Sequence, residues 1–273
     1  MDTPFVYDNY VTGRNFVGRK MECTILSNLL EAGEHVTLYE PPKSGKMSVV
    51  QQTLFNMRAA GRQFSVAWVN LFNVRTVYDF LKRFGTAVIK PVYSTPAEYS
   101  QVVSRHLEGT HFLFDPARFA SHEEIVCLNW EPAENDVEQM LRLPFRIAEE
   151  RGVPCYVVIE EFQNLVKASP AFFKELLNFI NREWDTKEVL VLLCTSSVGW
   201  VENSMIKKIG EAAYALSGLL KMKELRFNDC VAFFPNYSKE QCIEVYAVLG
   251  GLPGMWACLD DRYTVKDNII GTM

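Results

Sequence analysis

Four histidines serve the whole of this 273-residue chain, and none stands at metal-ligand spacing from a cysteine. The seven cysteines (23, 127, 155, 194, 230, 242 and 258) form no C-x-x-C pair. That excludes the usual zinc ribbons and dithiol redox motifs, and suggests small buried hydrophobes in a reducing compartment. No uninterrupted run approaches the ~20 apolar residues of a membrane span. The opening residues, MDTPFVYDNYVTGRNF, lack the basic start and apolar core of a signal peptide. Charge of one sign is also missing. The 28 Lys and Arg against 33 Asp and Glu give −5, so no global basic field calls for nucleic acid, and only a local patch stays open. Internal repeats and low-complexity tracts are absent. A cytoplasmic protein is expected, with neither membrane nor nucleic acid indicated as a partner.

What is present is an ordinary globular composition, 48% apolar and 22% charged, long enough for one large domain or one with a small appendage. Met21, Ile25, Leu26, Leu29 and Leu30 predict a helix stopped by Gly33. Phe64 to Asn70 reads as a buried strand, followed by helices around Thr76 to Ile89 and Pro96 to Glu108. Residues 109–123 read as a loop or hairpin insertion, and Ile125 to Leu128 as a short strand. Asn135 to Arg151 predicts a helix that Pro144 should kink or split. Cys155 to Ile159 and Val189 to Cys194 are nearly all apolar, as strands buried on both faces are. Phe172 to Trp184 is a helix between them. This alternation argues for an α/β fold with a parallel sheet flanked by helices. From about Lys208 the pattern shifts to a possible strand, Leu219 to Leu225, and short helices (Asn228 to Phe234, Ser238 to Leu249, Gly254 to Leu259) that resemble a small lid. The last dozen residues are polar.

The chain is organised around His35 to Gln52, HVTLYEPPKSGKMSVVQQ. Val36 to Tyr39 is a short strand that Pro41 and Pro42 cannot extend. Pro42, Lys43, Ser44, Gly45 and Lys46 follow, then a helix containing Met47 and Ser48. Strand, tight loop, Gly-Lys and helix form the context of a phosphate-binding loop. Backbone N–H groups at a helix N-terminus favour an anion there, and Lys46 would reach its phosphates. The match to G-x-x-x-x-G-K-[ST] is imperfect, because Glu40 stands for the first glycine and Met47 for the hydroxyl residue.

Two other features follow strands. Glu160-Glu161-Phe162-Gln163 ends Cys155 to Ile159, and Thr195-Ser196-Ser197 ends Val189 to Cys194. Taken alone, paired carboxylates after a strand usually open a solvated helix, and serine clusters usually cap one. Parallel sheets, however, bind ligands beyond the carboxyl ends of their strands. In nucleoside triphosphate hydrolysis, Glu160 would hold magnesium through water and Glu161 would polarise the attacking water. Ser196 and Ser197 would hydrogen-bond the γ-phosphate or that water.

With these residues in view, the chain resembles the archaeal-type P-loop ATPases of the AAA+/STAND group over nearly its whole length. Phe16-Val17-Gly18-Arg19 and Glu22 resemble the family's opening F-x-x-R-x-x-E, which places Arg19 near the adenine pocket. Glu40 to Ser48 lies where the family has its Walker A, and VVIEEFQ (157–163) where a Walker B usually ends Asp-Glu-Phe-Gln. CTSSV (194–198) is similar to a sensor strand, and the Gly250-Gly251-Leu252-Pro253 turn to the family's lid. The resemblance implies bound ATP or ADP with Mg2+, a P-loop ATPase core over 1–207, and a last strand with helical lid over 208–273. It also implies a winged-helix domain and further region beyond the lid, which this sequence does not include.

The departures bear on activity. Glu40 brings a carboxylate toward the phosphates, Met47 removes the magnesium hydroxyl, and Glu160 replaces an aspartate. Tyr214-Ala215-Leu216 stands where relatives carry Tyr-Gly-Arg. Together they imply a nucleotide-binding switch module, with a protein partner, whose hydrolysis is weakened or lost. The alternative is a pseudo-ATPase that keeps the fold as a scaffold or interaction module without turnover.

Overall fold

The computed structural model describes residues 11–13, 16–128, 131–183, 187–205 and 218–272; Trp184 and the segment Tyr214 to Leu216 lie outside them. Its elements run α1 (Lys20–Ala32), β1 (Val36–Tyr39), α2 (Lys46–Ala59), β2 (Ser65–Asn70), α3 (Val77–Ile89), α4 (Pro96–His106) and β3 (Phe112–Leu113). They continue with α5 (Pro116–His122), β4 (Cys127–Leu128), α6 (Glu134–Arg151), β5 (Cys155–Glu160), α7 (Gln163–Ala168), α8 (Pro170–Glu183), β6 (Val189–Thr195) and α9 (Val198–Trp200). After a π-helical turn at Val201–Met205 come β7 (Gly218–Lys221), α10 (Phe227–Phe233), α11 (Lys239–Leu249), α12 (Pro253–Trp256) and α13 (Val265–Thr272).

Five strands form one sheet in the order β2-β5-β6-β1-β7. β5 runs parallel to both β2 and β6, with Glu160 opposite Asn70 on one side and Cys194 on the other. Every residue of β5 and β6 is buried, as apolar strands covered on both faces must be. The architecture is therefore the expected parallel sheet flanked by helices. A separate antiparallel pair joins β3 to β4. Among the described residues no helix is long and apolar enough to cross a membrane.

The chain divides into two compact units. One comprises Met1–Asn28, Leu38–Arg62 and Leu220–Met273; the other comprises Leu29–Thr37 and Gln63–Leu219. The first has a core of its own in Leu225, Cys230, Phe234, Tyr237, Cys242, Val245 and Trp256. Trp256 donates its indole N–H to the Gly250 carbonyl at 2.8 Å, and Leu225 donates its N–H to the Gly251 carbonyl at 2.9 Å. A Cβ on Gly251 would overlap the Leu225 carbonyl oxygen, so only glycine lets this turn lie against that segment.

In the second unit α3 buries Phe80, Leu81, Phe84, Val88 and Ile89. Thr76 caps it by accepting from the Asp79 N–H at 3.0 Å. Thr95 and Glu98 make the reciprocal capping bonds that start α4. All seven cysteines are free; Cys258 is partly buried and the rest are buried. Burial pushes the Cys155 thiol up to about 11.

Two local expectations change, for α1 and Pro144, and two segments gain a helix. Cys23, Leu26 and Leu30 are the buried stripe of α1, while Met21 is 66% and Ile25 40% exposed. Two stripes share Leu26 and Leu30, and the one that carries Cys23 is buried. Pro144 does not split α6, which is continuous from Glu134 to Arg151. Burial of Leu141, Leu143 and Ile147 around it offsets one missing backbone bond. The insertion at 109–123 holds α5, which Asp115 caps through the Ala117 N–H at 2.9 Å and Pro116 opens. The polar C-terminal stretch contains α13, whose Asp267 N–H is capped by the Thr264 hydroxyl at 3.1 Å.

Candidate functional site

Lys46 is the first residue of α2, is 7% exposed, and folds back over the loop that precedes it. Its ammonium donates to the carbonyl of Glu40 at 2.7 Å and of Pro41 at 3.0 Å. Gly45, at φ 86, and Lys43, at φ 68, take the left-handed conformations that turn the loop into the helix. The next carbonyls are held from outside. Lys43 accepts from the Gly254 N–H at 2.9 Å, and Ser44 accepts from the Arg19 guanidinium at 3.1 Å. In a trans peptide the N–H points opposite the C=O. With the Lys43 and Ser44 carbonyls facing Gly254 and Arg19, the Ser44 and Gly45 N–H groups point away from those two donors. Pro41 and Pro42 contribute no N–H, so the cradle begins only at Lys43.

Arg19 braces this loop. It is 6% exposed and, besides Ser44, donates to the Lys223 carbonyl and pairs with Glu22 at 3.0 Å. Gly18 precedes it with a positive φ, and a Cβ there would lie 2.8 Å from Leu225 Cδ2. Pro253 opens α12 with its Cγ 3.5 Å from where a Gly45 Cβ would be. The loop, the opening motif and the Gly-Gly-Leu-Pro turn are thus one packed assembly. Ser44 Oγ and Arg19 Nε are buried there without a hydrogen-bond partner.

The loop does not fit a magnesium ion. Met47 offers a soft thioether to a hard cation that takes oxygen ligands. The Ser48 hydroxyl accepts from the Val11 N–H at 3.2 Å instead. No acidic residue occupies the first turn of α2. Among the described residues no cluster of three His, Cys, Asp or Glu is arranged to hold a metal.

The other unit carries the carboxylates. Glu160 ends β5, is 8% exposed, and accepts the Leu71 N–H on its carbonyl at 3.0 Å. Glu161 takes φ 55, an uncommon conformation for a non-glycine residue. The Ser196 hydroxyl lies within hydrogen-bond distance of both its carboxylate oxygens, and the Gln163 amide donates to Oε2. Gln163 in turn accepts from the Thr195 hydroxyl at 2.6 Å. Ser197 turns to Thr195 instead, its N–H donating to Thr195 Oγ1 at 3.0 Å. The parallel pairing of β5 with β6 brings Glu161 and Ser196 together. The Gln163–Thr195 bond is not legible in the sequence, because a contact 32 residues apart depends on the pairing of β5 with β6.

Residues 16–259 match a family described as an ATPase domain predominantly from Archaea. The chain belongs to that family. It is an ATPase-like module of the nucleotide-binding kind. Among curated proteins it is 24% identical over 97 residues to an uncharacterized protein, MJECL04, of Methanocaldococcus jannaschii; the match spans 36% of this chain and 22% of that protein's length. Among solved structures it is similar to the Walker-type ATPase PABY2304 of Pyrococcus abyssi, with a TM-score of 0.68 and 18% identity over 99% of this chain and 76% of that one. The Aeropyrum pernix ORC1 protein, solved in complex with DNA, gives 0.61 and 14% over 99% and 70%. The ORC2 protein of the same organism, solved as ADPNP-ADP complexes, gives 0.55 and 17% over 88% and 55%. At these identities the structural likeness shows the fold.

Proposed function

We propose that this domain binds ATP or ADP on the loop from Glu40 to Ser48 and acts as a nucleotide-dependent switch with weak hydrolysis. One observation carries the reading. Lys46 closes the loop on the carbonyls of Glu40 and Pro41 at the N-terminus of α2, despite the loss of the first glycine. Anions are favoured at such a terminus by its unsatisfied N–H groups and dipole. Pro42, Lys43, Ser44, Gly45 and Lys46 would line the phosphates, with Arg19 bracing the loop and Pro253 covering Gly45. Because Gly254 holds the Lys43 carbonyl, phosphate contacts at the loop would be felt in the lid turn, where a protein partner could read the state.

Glu161 is the candidate base, and Ser196 with Gln163 holds it. The magnesium role read for Glu160 depends on an ion carried by the loop, and the loop supplies no ligand for one. Met47 also favours the second reading, a scaffold that does not turn nucleotide over. Calorimetry with ATP and with ADP, beside Lys46→Ala, tests the binding. Saturable binding that Lys46→Ala abolishes is expected; binding that survives in Lys46→Ala would place the nucleotide elsewhere. Phosphate release then separates the slow switch from the scaffold.

A further inference from the structure

The magnesium hydroxyl of a phosphate loop comes from the residue directly after its lysine. Here that residue is Met47, and the next hydroxyl along the helix, that of Ser48, is committed elsewhere. Ser48 is one step further along α2, which turns its side chain by about 100° around the helix axis. Its hydroxyl is used there as an acceptor for the Val11 N–H. One turn below, Gln52 accepts the Gly13 N–H at 2.6 Å and donates to Asn56 at 2.8 Å. Residues 11–13 are therefore tied along the face of α2 that carries Ser48 and Gln52. Moving Ser48 into the site would break the Val11 bond and pull that segment away.

We infer that the loop binds its nucleotide without offering magnesium a ligand, so that free and magnesium-bound nucleotide bind alike and magnesium does not tighten binding. This deepens the proposed nucleotide reading and rests on it. Neutralisation of the phosphates falls to Lys46 and the N-terminus of α2. An ion that met the protein only through water would add little affinity.

The test is calorimetry of the full chain with ADP and with ATP, each in excess EDTA and in millimolar magnesium, on wild type and Met47→Thr. Wild-type dissociation constants should agree within about threefold between the two conditions. Met47→Thr, which restores the hydroxyl at the right helix position, should bind about tenfold or more tightly in magnesium than in EDTA. A wild type that binds about tenfold more tightly in magnesium would overturn the inference and leave the nucleotide reading intact. No binding of either nucleotide in either condition would overturn both. Thermal unfolding of Met47→Thr without nucleotide reports whether the variant folds, and the wild-type comparison decides the matter without it.

Discussion

The Ser196 hydroxyl lies 2.7 Å from one carboxylate oxygen of Glu161 and 2.9 Å from the other. A hydroxyl has one proton to give, so it is shared between them, and the Gln163 amide steadies Oε2 from the next turn. Glu161 is thus fixed in one orientation on a residue that already holds a left-handed backbone. Glu161→Gln should lower single-turnover phosphate release by about 10²-fold or more, the usual contribution of a positioned base. Ser196→Ala should lower it by about tenfold, through a looser carboxylate. Nucleotide affinity should change little in either. Unaltered turnover in Glu161→Gln would remove Glu161 from the chemistry.

The guanidinium of Arg19 joins the Ser44 carbonyl, the Lys223 carbonyl and Glu22, from a side chain only 4% exposed. Arg19→Ala leaves two carbonyls and a mostly buried carboxylate without their donor. The expected loss is ~2–3 kcal/mol in urea unfolding. Arg19→Lys should recover less than half of it, because an ammonium cannot span partners arranged around a planar fork. Full recovery by lysine would show that charge alone matters at this position.

What the sequence made legible follows from locality. The strands β5 and β6 announce themselves as continuous apolar runs, and α3 by its apolar spacing. The loop from Glu40 to Ser48 stands out as a candidate phosphate site because strand, Gly-Lys and helix are contiguous, and Glu161 stands out because it directly follows β5. Partners chosen by tertiary pairing were hidden. Arg19 meets the Lys223 carbonyl across 204 positions, and Gln163 meets Thr195 across 32. Nothing local to Ser48 foretells that Val11 will claim its hydroxyl. The buried face of α1 departs from its apolar spacing: Met21 and Ile25 are more apolar than Cys23, yet Cys23 is the one that is buried.

Gly251 should be the least replaceable residue of the Gly250–Pro253 turn. An added Cβ would overlap the Leu225 carbonyl oxygen and sit 2.7 Å from its nitrogen, and both are backbone atoms that cannot swing aside. Gly251→Ala is expected to cost ~2–3 kcal/mol or more by displacing the turn from Leu225. Gly61→Ala has open space around the new carbon and only its positive φ to oppose it. That control should cost ~1–2 kcal/mol. Thermal unfolding of the two variants gives the comparison, and a smaller shift for Gly251→Ala would refute the steric account.

Asp136 gives the fold a pH dependence with a definite sign. Its side chain is 1% exposed, and burial alone would raise its pKa. The backbone N–H groups of His111 and Ala133 donate to it at 2.9 and 2.8 Å, and the His111 ring lies 3.0 Å away. Together they outweigh burial and hold the carboxyl below its ordinary 3.8. A carboxyl that is more acidic in the folded state than in the unfolded one stabilises the fold at pH values above its unfolded pKa. That contribution is lost as the pH falls through the folded pKa. Asp136→Asn keeps the shape but loses the charge and one acceptor oxygen, so it should cost ~2 kcal/mol at neutral pH. Urea unfolding of wild type and variant should show a steady gap from about pH 7 to 5 that narrows below about pH 4. A gap that stays constant down to about pH 3 would mean that the loss comes from packing alone and that ionised Asp136 contributes nothing through its charge.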